Sequence, residues 1–136
     1  MATVEEAADE VRIRAVIGRA GYLGDEGTPD DYREIYTDDA TWSLGSTLQT
    51  GIEEIVAATE ERRAQGVSGP GTGTRHLVVP MDVRVDGDTA EAVSYFLFLA
   101  DTSTAPVVRV FGTYRDTLVR GADGTWRIRQ RRAGAG

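Results

Sequence analysis

The stretch from Arg75 to Ala100, RHLVVPMDVRV followed by DGD and then TAEAVSYFLFLA, decides the fold. Asp86-Gly87-Asp88 is hairpin turn chemistry, because glycine accepts a positive φ and aspartate bonds its own nearby backbone. The flanks are rich in Val, Tyr, Phe and Leu and read as two long strands, Arg75 to Val85 and Thr89 to Ala100. A second pair follows the same plan, Val107 to Arg120 and Thr125 to Arg132, around Gly121-Ala122-Asp123-Gly124. Pro80 falls inside the first of these strands, and its missing N–H predicts a bulge or an edge position there.

Upstream the pattern is helical. Thr3-Val4-Glu5-Glu6 reads as a capping box, and Val4, Ala8, Val11 and Ala15 then recur at helical spacing in a first helix running to Leu23. Gly18, Gly21 and Gly24 interrupt its end, which asks for close approach to another element or for fraying near Gly24. Thr28-Pro29-Asp30-Asp31 is an N-cap with proline at the first position and acids against the helix dipole. A short second helix is expected there, with Tyr32, Ile35 and Tyr36 inward and Thr37-Asp38-Asp39 ending it. Thr41 to Leu44 and Thr47 to Thr50 form a small hairpin around Gly45-Ser46. A third helix runs from Ile52 to about Gln65, with Ile55, Val56 and Thr59 on its buried face and Gly66 as its stop. Val67 to Thr74, VSGPGTGT, is a glycine-rich loop, expected as a mobile lid beside the pocket; it precedes a strand and lacks lysine, so it is no nucleotide loop. Helices first and long antiparallel strands after define an α+β chain with helices on one face of the sheet. One domain, 1–136, is expected, with about 133–136 as a flexible tail.

Composition narrows the chemistry. At 136 residues the chain is the size of one domain with a core of its own. It has no cysteine, which removes thiol nucleophiles, thiolate metal sites and disulfides together. All fifteen basic residues are arginine, so lysine Schiff bases and a phosphate loop ending in Lys are excluded. With a single histidine there is no histidine metal cluster, and neither a metal nor a cofactor is expected. A net charge of −7 repels polyanions. The sole basic run, Arg127, Arg129, Arg131 and Arg132, reads as a solvated edge or interface, so no nucleic-acid partner is expected. No apolar run approaches the roughly 20 residues that span a bilayer, and the acidic start is unlike a secretion signal. The expectation is a soluble, cytoplasmic protein with no membrane partner.

The chain resembles the SnoaL-like branch of the nuclear-transport-factor-2-like superfamily. The resemblance rests on Tyr22-Leu23-Gly24-Asp25-Glu26-Gly27, Asp31-Tyr32, Thr37-Asp38-Asp39-Ala40-Thr41-Trp42, Gly51-Ile52, Thr74-Arg75-His76-Leu77, Asp86-Gly87-Asp88-Thr89-Ala90 and Ser94-Tyr95-Phe96, in that order and spacing. It implies three helices on a strongly curved, mainly antiparallel sheet that enclose a cone-shaped apolar pocket. Enzymes of the superfamily include ketosteroid isomerases, scytalone dehydratase, polyketide cyclases and epoxide hydrolases. The implied activity is that of a cofactor-independent lyase or isomerase, of dehydratase, isomerase or cyclase type, on a small apolar molecule such as a polyketide- or steroid-like one. The alternatives are a non-catalytic ligand-binding or accessory domain that forms a homodimer through its sheet, and an epoxide hydrolase, for which Arg84-Val85-Asp86 carries part of the needed pattern.

The same resemblance matches Asp25 and His76 to the acid and the histidine of the dehydratase-like members. A neutral imidazole can take a proton from carbon beside a carbonyl, and a carboxylate can fix its tautomer. Asp25-Glu26-Gly27 is also ordinary turn material, so a solvated carboxylate is the competing reading. Tyr22, one helical turn before Asp25, is a candidate oxyanion donor, with core packing as its alternative. Ala20 stands where the better-known dehydratase pattern has a tyrosine, five residues before the acid. Tyr36, Trp42, Tyr95, Phe96 and Phe111 are expected as pocket walls, with Phe98 beside them, and Arg109 is expected to be exposed, the alternative being an inward arginine that could bind a carboxylate or oxyanion.

Overall fold

The computed structural model describes residues 2–136. Helix α1 spans Val4–Glu26, and the Thr3 hydroxyl caps it by accepting the Glu6 N–H at 3.0 Å. A 3₁₀ turn over Pro29–Glu34 follows, then strands β1 (Tyr36–Leu44) and β2 (Thr47–Thr50), helix α2 (Ile52–Ala64), and strands β3 (Arg75–Asp86), β4 (Thr89–Ala100), β5 (Val107–Arg120) and β6 (Trp126–Ala135). The six strands form one open sheet in the order β2-β1-β6-β5-β4-β3, and every neighbouring pair is antiparallel except β1 with β6. This is the expected α+β architecture.

Four boundaries differ from the sequence expectation, each for a physical reason. Helix α1 runs past Leu23 to Glu26 without fraying at Gly24, its last carbonyls taken by the Arg63 guanidinium of α2. The second helix stops at Glu34, and Tyr36 is already the first residue of β1. Thr37-Asp38-Asp39 does not break the chain but lies where the β1–β6 pairing shifts register between Tyr36 and Thr41, a bulge that accommodates a polar run inside a strand. The residues 133–136 are no free tail: Ala133, Gly134 and Ala135 pair with Tyr114, Thr113 and Gly112, and the Gly136 N–H donates to the Phe111 carbonyl at 2.8 Å. Small residues without a β pattern concealed a strand whose register β5 sets. Pro80 meets both expectations, because β3 is an edge strand and its register shifts between Pro80 and Asp82. The Arg14 guanidinium donates to the Pro80 carbonyl at 3.0 Å.

Alternation along β4 assigns the two faces of the sheet. Ala90, Ala92, Ser94, Phe96, Phe98 and Ala100 are buried under the helices, while Tyr95 on the other face is 43% exposed. The core beneath α1 and α2 gathers Ile13, Ile17, Ile55, Leu118, Trp126 and Ile128. One end of this helix-covered layer is solid; the other, between the C-terminal halves of both helices and the sheet, is hollow. No helix among the described residues is long and apolar enough to cross a membrane.

Candidate active site

The hollow end is a cavity of about 440 Å³. Its walls are mostly apolar: Ala20, Gly21 and Gly24 from α1, Trp42 and Leu44 from β1, Phe96 and Phe98 from β4, Val110 from β5, and Ala133 to Ala135 from β6. The glycines explain how α1 comes so close. A Cβ on Gly21 would stand 3.1 Å from Val78 Cγ2 and 3.8 Å from His76 Cβ, and one on Gly24 would stand 2.8 Å from the Tyr32 hydroxyl. Close approach is therefore the reason for two of the three helical glycines; nothing crowds Gly18.

That approach brings Asp25 onto β3. Asp25 is 4% exposed and accepts the His76 backbone N–H at 2.9 Å on Oδ2, with a longer contact of 3.2 Å to Oδ1. Its Oδ1 lies 2.8 Å from His76 Nδ1. A carboxylate only accepts, so the ring donates from Nδ1 and the basic lone pair is left on Nε2. The imidazole lines the cavity and packs 4.7 Å from the Phe98 ring, tilted by 46°. Asp25 is thus a buried, fully engaged carboxylate and not solvated turn material.

Tyr22 does not join them. At about 100° per residue it points well away from the face formed by Ala20, Gly21 and Gly24, and it is 60% exposed outside the cavity. The phenol that reaches this wall comes instead from Tyr32 in the 3₁₀ turn. Its hydroxyl sits against Gly24, its ring meets Tyr36 edge-on at 5.5 Å, and among the described residues the hydroxyl makes no hydrogen bond. Burial pushes the Tyr32, Tyr36 and Tyr114 phenols up from their ordinary value, so all three remain donors at neutral pH. The sequence signal for Tyr32 was its inward position on the short second helix, but its reach depends on the missing side chain at Gly24.

Of the expected wall residues, Tyr36, Trp42 and Phe96 line the cavity. Tyr95 and Phe111 do not: they lie on the opposite face of the sheet, packed on each other at 5.9 Å. Phe111 is 48% exposed there, because it pairs with Leu97, an outward position of β4.

The cavity also holds three arginines, of which the sequence singled out only Arg109 as a possible inward charge. Arg131, expected on a solvated edge, is buried and forms a two-pronged bridge to Asp116 at 2.8 and 2.9 Å, with its guanidinium 3.9 Å over the Tyr114 ring. Arg62 donates to the Thr59 hydroxyl at 3.1 Å and lies over Trp42, 5.9 Å from the ring centre. Arg109 is exposed, as expected, and stands on the cavity wall. Arg63 draws the helix ends together: it donates to the Leu23, Gly24 and Gly27 carbonyls at the end of α1. Val67 and Ser68 of the glycine-rich loop complete the wall. That loop is tied down by the Thr72 hydroxyl on the Gly69 carbonyl at 2.6 Å and by the Thr102 N–H on the Gly73 carbonyl at 3.1 Å. Among the described residues no three His, Asp or Glu side chains converge on a common point that would suit a metal ion.

A helix-covered, mostly antiparallel sheet hollowed at one end is the architecture of the nuclear-transport-factor-2-like proteins. The sequence profile of the SnoaL-like domain matches residues 5–132, and the chain belongs to that family. Similar solved structures include a single-substitution variant of Rv3472, a protein of unknown function from Mycobacterium tuberculosis, at 23% identity over 96% of this chain and 77% of that one, with a TM-score of 0.81. An NTF2-like protein with a cystatin-like fold from Novosphingobium aromaticivorans is 24% identical over 99% of this chain and 91% of its own, with a TM-score of 0.75. A protein from Catenulispora acidiphila, solved in complex with S-DNPA, is 23% identical over 95% of this chain and 94% of its own, with a TM-score of 0.77. At these identities the likeness carries the fold. No protein of curated function matches the chain in sequence.

Proposed function

We propose that the protein is a cofactor-independent lyase or isomerase, of dehydratase, isomerase or cyclase type, with His76 as its base and Asp25 as the partner that sets the tautomer. The observation that carries this reading is the 2.8 Å pair between Asp25 Oδ1 and His76 Nδ1 on the wall of an apolar cavity, which leaves Nε2 unencumbered. In the proposed reaction Nε2 removes a proton from carbon beside a carbonyl, and the charge that develops on the carbonyl oxygen is met by a neutral donor. Tyr32 takes that role in place of Tyr22; the missing side chain at Gly24 leaves the space in which its phenol lies. The imidazolium, balanced by Asp25, then returns the proton, either to a leaving hydroxyl, which departs as water, or to another carbon of the substrate.

Exchange of carbon-bound protons into D₂O tests this without knowledge of the substrate. A panel of polycyclic β-hydroxyketones, incubated with the protein and followed by proton NMR, should include members whose α-protons exchange faster than the background. His76→Ala should abolish the exchange and leave the fold intact. Unchanged exchange in His76→Ala sinks the base assignment.

The face opposite the cavity supports a second part of the proposal, a homodimer formed through the sheet. Leu77, Val79, Met81, Tyr95, Val108 and Phe111 leave that face apolar and between 43% and 55% exposed. Contiguous apolar surface of this kind usually marks an interface. The epoxide-hydrolase alternative draws no support: Arg84 pairs with Asp82 at 3.0 Å on the surface, away from the cavity.

A further inference from the structure

We infer that the ligand of this cavity is an amphipathic carboxylic acid whose carboxylate is held on the wall by Arg62 and Arg109. The inference rests on the reading of the cavity as a small-molecule site and adds to it the chemical class of the ligand.

The argument is one of charge pairing. The carboxylate of Asp25 is engaged by His76, and Arg131 is matched by Asp116. Arg62 and Arg109 line the same cavity, and among the described residues neither has a carboxylate within ion-pair distance. Scarcity of acids is not the reason, because the chain has 22 acidic residues against 15 basic ones.

Arg62 is also held in place. The Thr59 hydroxyl that accepts from its Nη2 is itself fixed on the Ile55 carbonyl at 3.1 Å, and Trp42 lies beneath the guanidinium. Arg62 lines the same chamber as the Tyr32 and Tyr114 phenols. A guanidinium held by one N–H keeps its other donors in a planar fork, the shape that a carboxylate matches with two parallel hydrogen bonds. The apolar walls of Phe96, Phe98 and Val110 take the hydrocarbon body of the acid, with His76 beside it.

Calorimetric titration with 2-naphthylacetic acid and with its methyl ester tests the inference. At low salt the acid should bind about tenfold tighter than the ester, the size expected of charge-assisted hydrogen bonds. Arg62→Gln and Arg109→Gln should each weaken the acid severalfold and leave the ester unchanged, and His76→Ala should keep the ratio of acid to ester. Equal binding of acid and ester overturns the inference while leaving the cavity a small-molecule site. Equal loss of both ligands in the arginine variants overturns it as well. Failure of both ligands to bind at millimolar concentration counts against the inference and the cavity reading together. Loss of exchange chemistry with the acid preference intact would remove the catalytic proposal alone.

Discussion

Asp25 holds His76 twice, taking the backbone N–H on one oxygen and the ring Nδ1 on the other, so one buried carboxylate fixes both the strand and the tautomer of the ring it carries. Asp25→Asn separates the two duties. The amide still offers an acceptor for the backbone N–H, but it removes the charge that balances an imidazolium. Turnover should fall at least about a hundredfold, and stability to urea should fall by about 1–3 kcal/mol. The protein has a single histidine, so its ring nitrogens are open to direct ¹⁵N NMR. The wild type should show the Nδ1–H tautomer alone and the variant a mixture. An unchanged tautomer in the variant would remove Asp25 from its proposed role.

Arg131 and Asp116 form the second buried pair, with side chains 5% and 0% exposed. Two ions withdrawn from water hold each other only while both are present. Asp116→Ala should therefore destabilise the protein by about 3–5 kcal/mol, whereas Asp116→Leu combined with Arg131→Met should lie near the wild type. Urea midpoints of the three proteins decide it, and a double variant as unstable as the single one would contradict the account.

The strands and helices were legible in the sequence because local chemistry specifies them: the Thr3 cap, the Asp86-Gly87-Asp88 turn and the alternation of β4 each act within a few residues. Asp25 and His76 stand 51 positions apart, and only the family resemblance linked them. Other features depended on three-dimensional register. Tyr95 and Phe111 carry the same residue types as Phe96, but one step along a strand reverses the face. Tyr32, expected inward, lines the cavity and Tyr22 does not; the glycines Gly21 and Gly24 signalled a close approach in the sequence, but not which strand α1 approaches or which side chain fills the space. Arg131 looked like its neighbours Arg129 and Arg132; only the pairing of β6 with β5 puts it opposite Asp116.

The outer face of the sheet should be covered in solution. Phe111 pairs with Leu97 and packs on Tyr95 at its centre, and a charge there would be stranded in an apolar contact. Light scattering after gel filtration should give twice the chain mass for the wild type and the chain mass for Phe111→Glu, whose far-ultraviolet circular dichroism should be unchanged. A monomeric wild type at micromolar concentration would refute the proposed interface.

At the solid end of the core, Asp9 provides a pH dependence with a definite sign. It is 2% exposed, and Arg120 donates to both of its oxygens at 2.9 and 2.7 Å. Trp126 Nε1 and Arg12 add bonds at 3.1 and 3.0 Å. Chiefly through Arg120, and against the opposing effect of burial, the carboxyl is held down from 3.8 to about 2. The fold thus prefers the charged form, and the contribution of Asp9 is complete above about pH 5, where the unfolded chain is ionised too. Below that the unfolded chain takes up the proton first, and the contribution drains away as the pH falls from 3.8 toward 2. Asp9→Asn, which cannot ionise, provides the comparison. The gap in urea midpoint between wild type and variant should be constant from pH 7 to about pH 5 and should narrow steadily toward pH 2. A gap that stays constant down to pH 2 would mean that Asp9 acts by shape and hydrogen bonding alone, without a contribution from its charge.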